Sequence, residues 1–167
     1  GFTPATSTLT LSGASPATLG GLSFYKLVIN KAAQANTVTS TAALSVANLL
    51  TLTQGTWLAS SYTHSVAGNW NSSGAAFSFS CGTSTISMSS PTPTITTKGI
   101  GTDPFYNLTL SNGGTLASAL QTSTNLSISA GTLSLAANNL SVGATLSGAG
   151  ALSASASEAI SVGGNWN

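Results

Sequence analysis

Two stretches of this chain are near copies of one another: Ser65-Val66-Ala67-Gly68-Asn69-Trp70-Asn71 and Ser161-Val162-Gly163-Gly164-Asn165-Trp166-Asn167. Residues 2–12 run without a gap against residues 79–89, so the stretch after the first copy at Trp70 resembles the start of the chain. Joining tail to head would continue the pattern. This divides the chain into two modules, residues 1–71 and 72–167, forming one continuous array. Internal repetition restricts the fold before any residue-level reading, because a short unit that cannot bury its apolar side alone must bury it against its neighbours.

Within the modules further blocks recur. Phe24 to Asn30 parallels Phe105 to Ser111, and Leu44-Ser45-Val46 parallels Leu126-Ser127-Ile128. A stretch beginning Gly55-Thr56-Trp57 aligns with one beginning Gly131-Thr132-Leu133, which places His64 where Leu140 and Ile160 stand. The period inside these blocks is two. Leu9/Leu11, Leu27/Ile29, Leu50/Leu52, Leu108/Leu110, Leu133/Leu135, Leu140/Val142 and Ile160/Val162 alternate mostly with Ser, Thr or Asn, as half-buried strands do. Ser12-Gly13, Gln54-Gly55, Asn112-Gly113-Gly114 and Ala130-Gly131 punctuate them as turns. Ser, Thr, Asn and Gly disfavour helix interiors, and charged i,i+4 pairs are missing.

Many short strands at close spacing fit either a parallel β-solenoid or tandem β-sandwich modules. The module lengths differ by whole short units. A coil of stacked rungs accommodates such an addition because each rung touches only its neighbours, whereas a fixed Greek-key order does not. The expectation is therefore all-β, a right-handed parallel β-solenoid of roughly twenty residues per rung, with strands about 4.8 Å apart.

Composition narrows the function. Three lysines, no arginine, two acids and one histidine give a net charge of +1, and only 3% of residues are charged. Ser and Thr fill 54 of 167 positions. Such a surface offers no basic stripe for phosphates, which argues against nucleic-acid binding, and little self-repulsion, which favours association of copies. No apolar run reaches the about 18 residues of a membrane-spanning helix. The apolar fraction of 41% is enough for a buried interior.

The same scarcity argues against an enzyme. Glycoside cleavage needs two carboxyls a few ångströms apart, and Asp103 and Glu158 lie in separate parts of the second module. Asp103 reads as a turn acid before Pro104, and Glu158 as a residue on a solvated rung face. His64 has no carboxylate in sequence reach and reads as a neutral, hydrogen-bonded core histidine. One His and one Cys make a poor zinc site, so no metal or cofactor is expected. Cys81 reads as a turn residue, with an intermolecular crosslink as its alternative. Trp57 reads as core, and Trp70 as an aromatic at the surface or at a corner. Asn71, Asn107, Asn125 and Asn139 match the Asn-x-Ser/Thr glycosylation pattern, as chance allows in so Asn- and Ser-rich a chain.

The blocks Thr83 to Ile86, Asp103 to Leu110 and Val66 to Asn71 resemble repeats of large bacterial secreted and surface proteins, the filamentous-haemagglutinin-like or adhesin-like β-helix family. The resemblance covers nearly the whole chain. It implies an extracellular or cell-surface location and a stalk, adhesive or filament-building role, without the clustered carboxylates of a calcium-binding repeat. The resulting expectation is a structural subunit or segment of an extracellular bacterial filament that joins end to end with itself, or with adjoining repeats of one polypeptide, through uncapped rungs. Phe2, Asn165, Trp166 and Asn167 are the expected junction residues. An adhesin stalk or carbohydrate-binding module, taking a glycan or another surface through its aromatics, is the alternative. A weaker third reading, ice or mineral binding, requires Thr rows at constant rung phase, and the irregular rung lengths count against it.

Overall fold

The computed structural model describes residues 5–155 and 157–167. Among them are eighteen strands and no helix, joined in one sheet whose pairings are all parallel and which coils through about 8 turns. The chain is a parallel β-solenoid. Phe2 lies outside the described residues.

Three stacks of strands form the three faces of the coil. The first face runs through β1 (Thr8–Leu11), the second half of β3 (Ser23–Asn30), the middle of β5 (Ser45–Leu58), β7 (Asn69–Asn71), β10 (Thr94–Thr96), β12 (Gly113–Leu116), β14 (Thr132–Ser134) and β17 (Ala151–Ser153). The second face comprises β2 (Ala17–Leu19), β4 (Thr37–Ser40), the end of β5, β8 (Ala76–Ser80), the start of β13 (Leu120–Ile128), β15 (Leu140–Val142) and β18 (Ile160–Val162). The third stacks the starts of β3 and β5 on β6 (Thr63–Val66), β9 (Thr85–Met88), β11 (Phe105–Leu110), the end of β13, β16 (Leu146–Ser147) and finally Trp166. Pairing continues unbroken across residue 71, with Gln54 beside Ala76 and Trp70 beside Ile95.

Alternation explains the interior. Along each strand every second residue points inward, and register stacks these residues into columns: Val46, Val66, Met88, Leu110 and Ile128 form one, and His64, Ile86, Leu108, Leu126 and Leu146 its neighbour. All of these are at most 3% exposed. The rings of Trp57, Trp70, Phe79 and Phe105 pack together inside, with centroid separations of 4.7–6.0 Å. Corners are made by small residues because successive layers nearly touch there. A methyl group on Gly68 would lie 1.6 Å from the carbonyl oxygen of Asn48 one layer away, and this accounts for glycine before Asn69-Trp70.

The internal copies do not occupy equivalent positions. Trp70 lies on the first face, whereas Trp166 lies on the third; Trp57 pairs with Val38 and Phe79 on the second, whereas its aligned counterpart Leu133 pairs with Gly114 and Leu152 on the first. His64 likewise stacks on Ile86 of the third face and not in the column of Leu140 and Ile160. Leu44 to Val46 and Leu126 to Ile128 do share a face. The expected equivalences are thus corrected at most of these blocks by one third of a turn. The repeating physical unit is one strand plus one corner, and all three faces use the same alternation, so sequence similarity does not identify the face.

Candidate functional site

No group of three or more His, Cys, Asp or Glu comes together among the described residues. Lys98 and Asp103 form an ion pair, and His64 and Glu158 are engaged by backbone groups. His64 is 1% exposed; its Nδ1 accepts the backbone N–H of Leu44 at 3.1 Å, so the proton sits on Nε2, which donates to the carbonyl of Ala59 at 2.9 Å. Burial pushes its pKa below the usual histidine value, outweighing the upward pull of the Ala59 carbonyl. A histidine with both nitrogens committed to backbone has none left for a substrate or metal.

Asp103 stands in the irregular segment that replaces a second-face strand between β10 and β11. Its carboxylate pairs with Lys98 at 3.1 Å and accepts from Ser78 Oγ at 3.2 Å, while Lys98 also donates to the Phe77 carbonyl. Glu158 corrects the expectation of a simply solvated side chain, because it accepts backbone N–H groups of Ala137, Ser155 and Ser157 and ties a corner loop to the layer before. Cys81 is half-buried in the turn between β8 and β9; burial pushes its thiol pKa up, outweighing a downward pull from its own backbone, and the Asp103 carboxylate adds a weaker upward push. A thiol so disposed is a poor nucleophile.

Trp70 is corrected as a surface aromatic. It is 1% exposed, its ring is packed on Trp57, Phe79 and Phe105, and its Nε1 donates to Ser72 Oγ at 2.9 Å. Trp166 differs. It forms an isolated parallel bridge with Leu146, held by the Leu146 N–H on Asn165 O and the Asn167 N–H on Leu146 O, both at 3.0 Å. Its side chain is 61% exposed, and Asn165 and Asn167 are exposed beside it. A groove of about 130 Å³ opens there, lined by Ile128, Leu146, Gly148, Gly150, Leu152 and Trp166 among others. Leu152, Ile160 and Val162 are half-buried, whereas their column neighbours Leu133, Leu140 and Val142 are buried. The last described layer thus carries apolar side chains, strand edges and a groove with no further layer over them.

The outward faces are unequal. On the third face Ser23, Ser45, Ser65, Ser87, Thr109, Ser127 and Ser147 stand in register, one per layer. Two residues back along the strands runs a second column, Thr63, Thr85, Asn107 and Asn125, followed by Thr145. Its amides are linked, Asn125 Nδ2 donating to Asn107 Oδ1 at 3.1 Å and Asn107 Nδ2 to Thr85 Oγ1 at 3.4 Å. On the first face one row is interrupted by Lys26 and Leu49 before it runs on through Asn69, Thr94, Thr115, Ser134 and Ser153, and its companion row is interrupted by Val28, while the second face is interrupted by Leu58 and the Lys98 to Asp103 segment. The double column escapes a strand-by-strand reading of the sequence although its signal is present: a Thr/Asn-x-Ser/Thr triplet recurs at 63–65, 85–87, 107–109, 125–127 and 145–147. The glycosylation-pattern matches at Asn107 and Asn125 are two members of this set.

Among the described residues no helix is long and apolar enough to cross a membrane. In comparisons with known proteins, no family model, curated protein or solved structure matches the chain.

Proposed function

We propose that the chain is a structural segment of an extracellular bacterial filament or stalk, lengthened by adding layers to its open end. The observation that carries this reading is Trp166, whose side chain is 61% exposed at the foot of a column in which Leu146 is 3% exposed. A next layer, supplied by a second copy or by adjoining repeats, would cover Trp166, fill the groove beside it and pair the free strand edges of the last layer. Burying an indole is worth several kcal/mol at about 25 cal/mol per Å², and a net charge of +1 sets little repulsion against it. The resemblance to haemagglutinin-like repeats supports the extracellular placement. The carbohydrate-binding alternative retains Trp166 as its exposed indole and loses Trp70 to the core.

A tandem of two copies, with Asn167 joined to Gly1, tests the reading. Layer addition predicts one cooperative unfolding transition with a higher midpoint and a larger denaturant slope than the single copy, because the slope grows with the surface exposed on unfolding. Trp166→Asp at the internal junction should return the midpoint toward that of the single copy. Two independent transitions at the single-copy midpoint would overturn it.

A further inference from the structure

We infer that the third face binds ice through its double column of hydroxyl and amide groups. The irregular rung lengths are absorbed at corners and in the second-face loop, so this face keeps constant phase: five successive layers present a Thr or Asn and, two residues on, a Ser or Thr. The Ser/Thr column alone continues through seven layers. Register fixes its geometry, with a repeat of about 4.8 Å along the axis and about 6.6 Å between the two columns. The axial repeat is close to the about 4.5 Å that separates second-neighbour oxygens in a tetrahedral network of hydrogen bonds about 2.75 Å long.

Three properties of the face select this ligand. Each hydroxyl is both donor and acceptor, as is each lattice water. The columns bear no charge and no aromatic ring, so they offer neither the attraction an ionic mineral needs nor the stacking surface sugar rings use. Regularity sustained over so many layers is wasted on a small soluble ligand, which contacts only a few groups, and is useful to a partner with its own matching period. A second copy of this face would be periodic too, yet it would bring hydroxyls against hydroxyls with no apolar anchor to drive association. One ordered water contributes little, since fixing it costs up to about 2 kcal/mol. Many contacts on one rigid body add up because only the first carries the full cost of association. The Asn125–Asn107–Thr85 ladder holds part of the array in place beforehand.

The test is partitioning of the purified chain into a slowly growing ice front, together with thermal hysteresis. The wild type should be enriched in the ice and depress the freezing point below the melting point. Ser87→Tyr and Thr109→Tyr should each lower both readouts several-fold with an unchanged circular dichroism spectrum, while Thr96→Tyr on the first face should leave them unaltered. Exclusion of the wild type from ice would overturn the inference. So would equal losses in the first-face control, retention on crystalline polysaccharide in place of ice, or sedimentation showing face-to-face dimers that the Ser87 and Thr109 variants abolish.

Discussion

The backbone N–H of Leu44 donates to Nδ1 of His64 at 3.1 Å, linking one layer of the third face to the next through a side chain. This link requires a neutral ring. A protonated His64 would turn a donor toward a donor.

Stability should therefore depend on pH in the window where His64 titrates. Because the folded state holds the His64 pKa below 6.5, the unfolded chain takes up the proton first as pH falls. Stability is complete above the unfolded value of about 6.5 and declines as pH drops from there toward the lowered folded value, below which the effect levels off. His64 is the chain's one histidine, so denaturant midpoints at pH 8 and pH 5 isolate it. His64→Leu should flatten the profile. At pH 8 it should also lower stability by about 1–3 kcal/mol, because the Leu44 N–H loses its acceptor. A wild-type midpoint unchanged between these pH values would contradict the assignment.

The two tryptophans of the repeated motif should behave oppositely. Trp70→Ala empties the centre of a packed aromatic cluster and should cost about 3–5 kcal/mol. Trp166→Ala in the single copy removes a mostly exposed ring and should stay within about 0.5 kcal/mol. Equilibrium unfolding of both variants decides it, and equal losses would mean that the copies occupy equivalent environments.

Gly68 should tolerate no side chain. Its added methyl meets the Asn48 carbonyl at 1.6 Å, backbone against backbone, so Gly68→Ala should destabilise by at least the upper end of the about 1–3 kcal/mol typical of overpacking. Gly99 makes the contrast. A methyl there meets nothing within 4 Å, and only its φ of +97° opposes substitution, at a cost of about 1–2 kcal/mol. Thermal melts of Gly68→Ala and Gly99→Ala should rank in that order.

The residue pattern reveals the strands and conceals their faces for one and the same reason. Pairs such as Leu27/Ile29 and Leu108/Leu110 announce strands and their inward side, because a period of two is local. The face to which each pair belongs depends on how many residues the intervening corners absorb, and those differ. β5 passes through two corners as one strand of 14 residues, while the segment from Lys98 to Asp103 spends a whole side without forming a strand. Aligning Trp57 with Leu133 matches two inward residues correctly and their faces wrongly. Trp70 is misread for a related reason: one of its interior partners, Phe105, arrives from a later layer, out of reach of any local window. The Asn-Trp-Asn motif at Trp166 is legible in the sequence, and the hydroxyl rows are hidden because no single strand contains them.

The displacement between Trp70 and Trp166 also governs how such a chain can change its length during descent. Duplicating or deleting one strand with its corner leaves the core intact but rotates everything downstream to the adjacent side. The aligned rows of Ser87 and Thr109 would then end abruptly and resume on another flank. Only gains or losses in multiples of three such blocks preserve them, so a lineage under selection for that flank can lengthen by whole turns, while one selected merely for reach is free to grow by thirds.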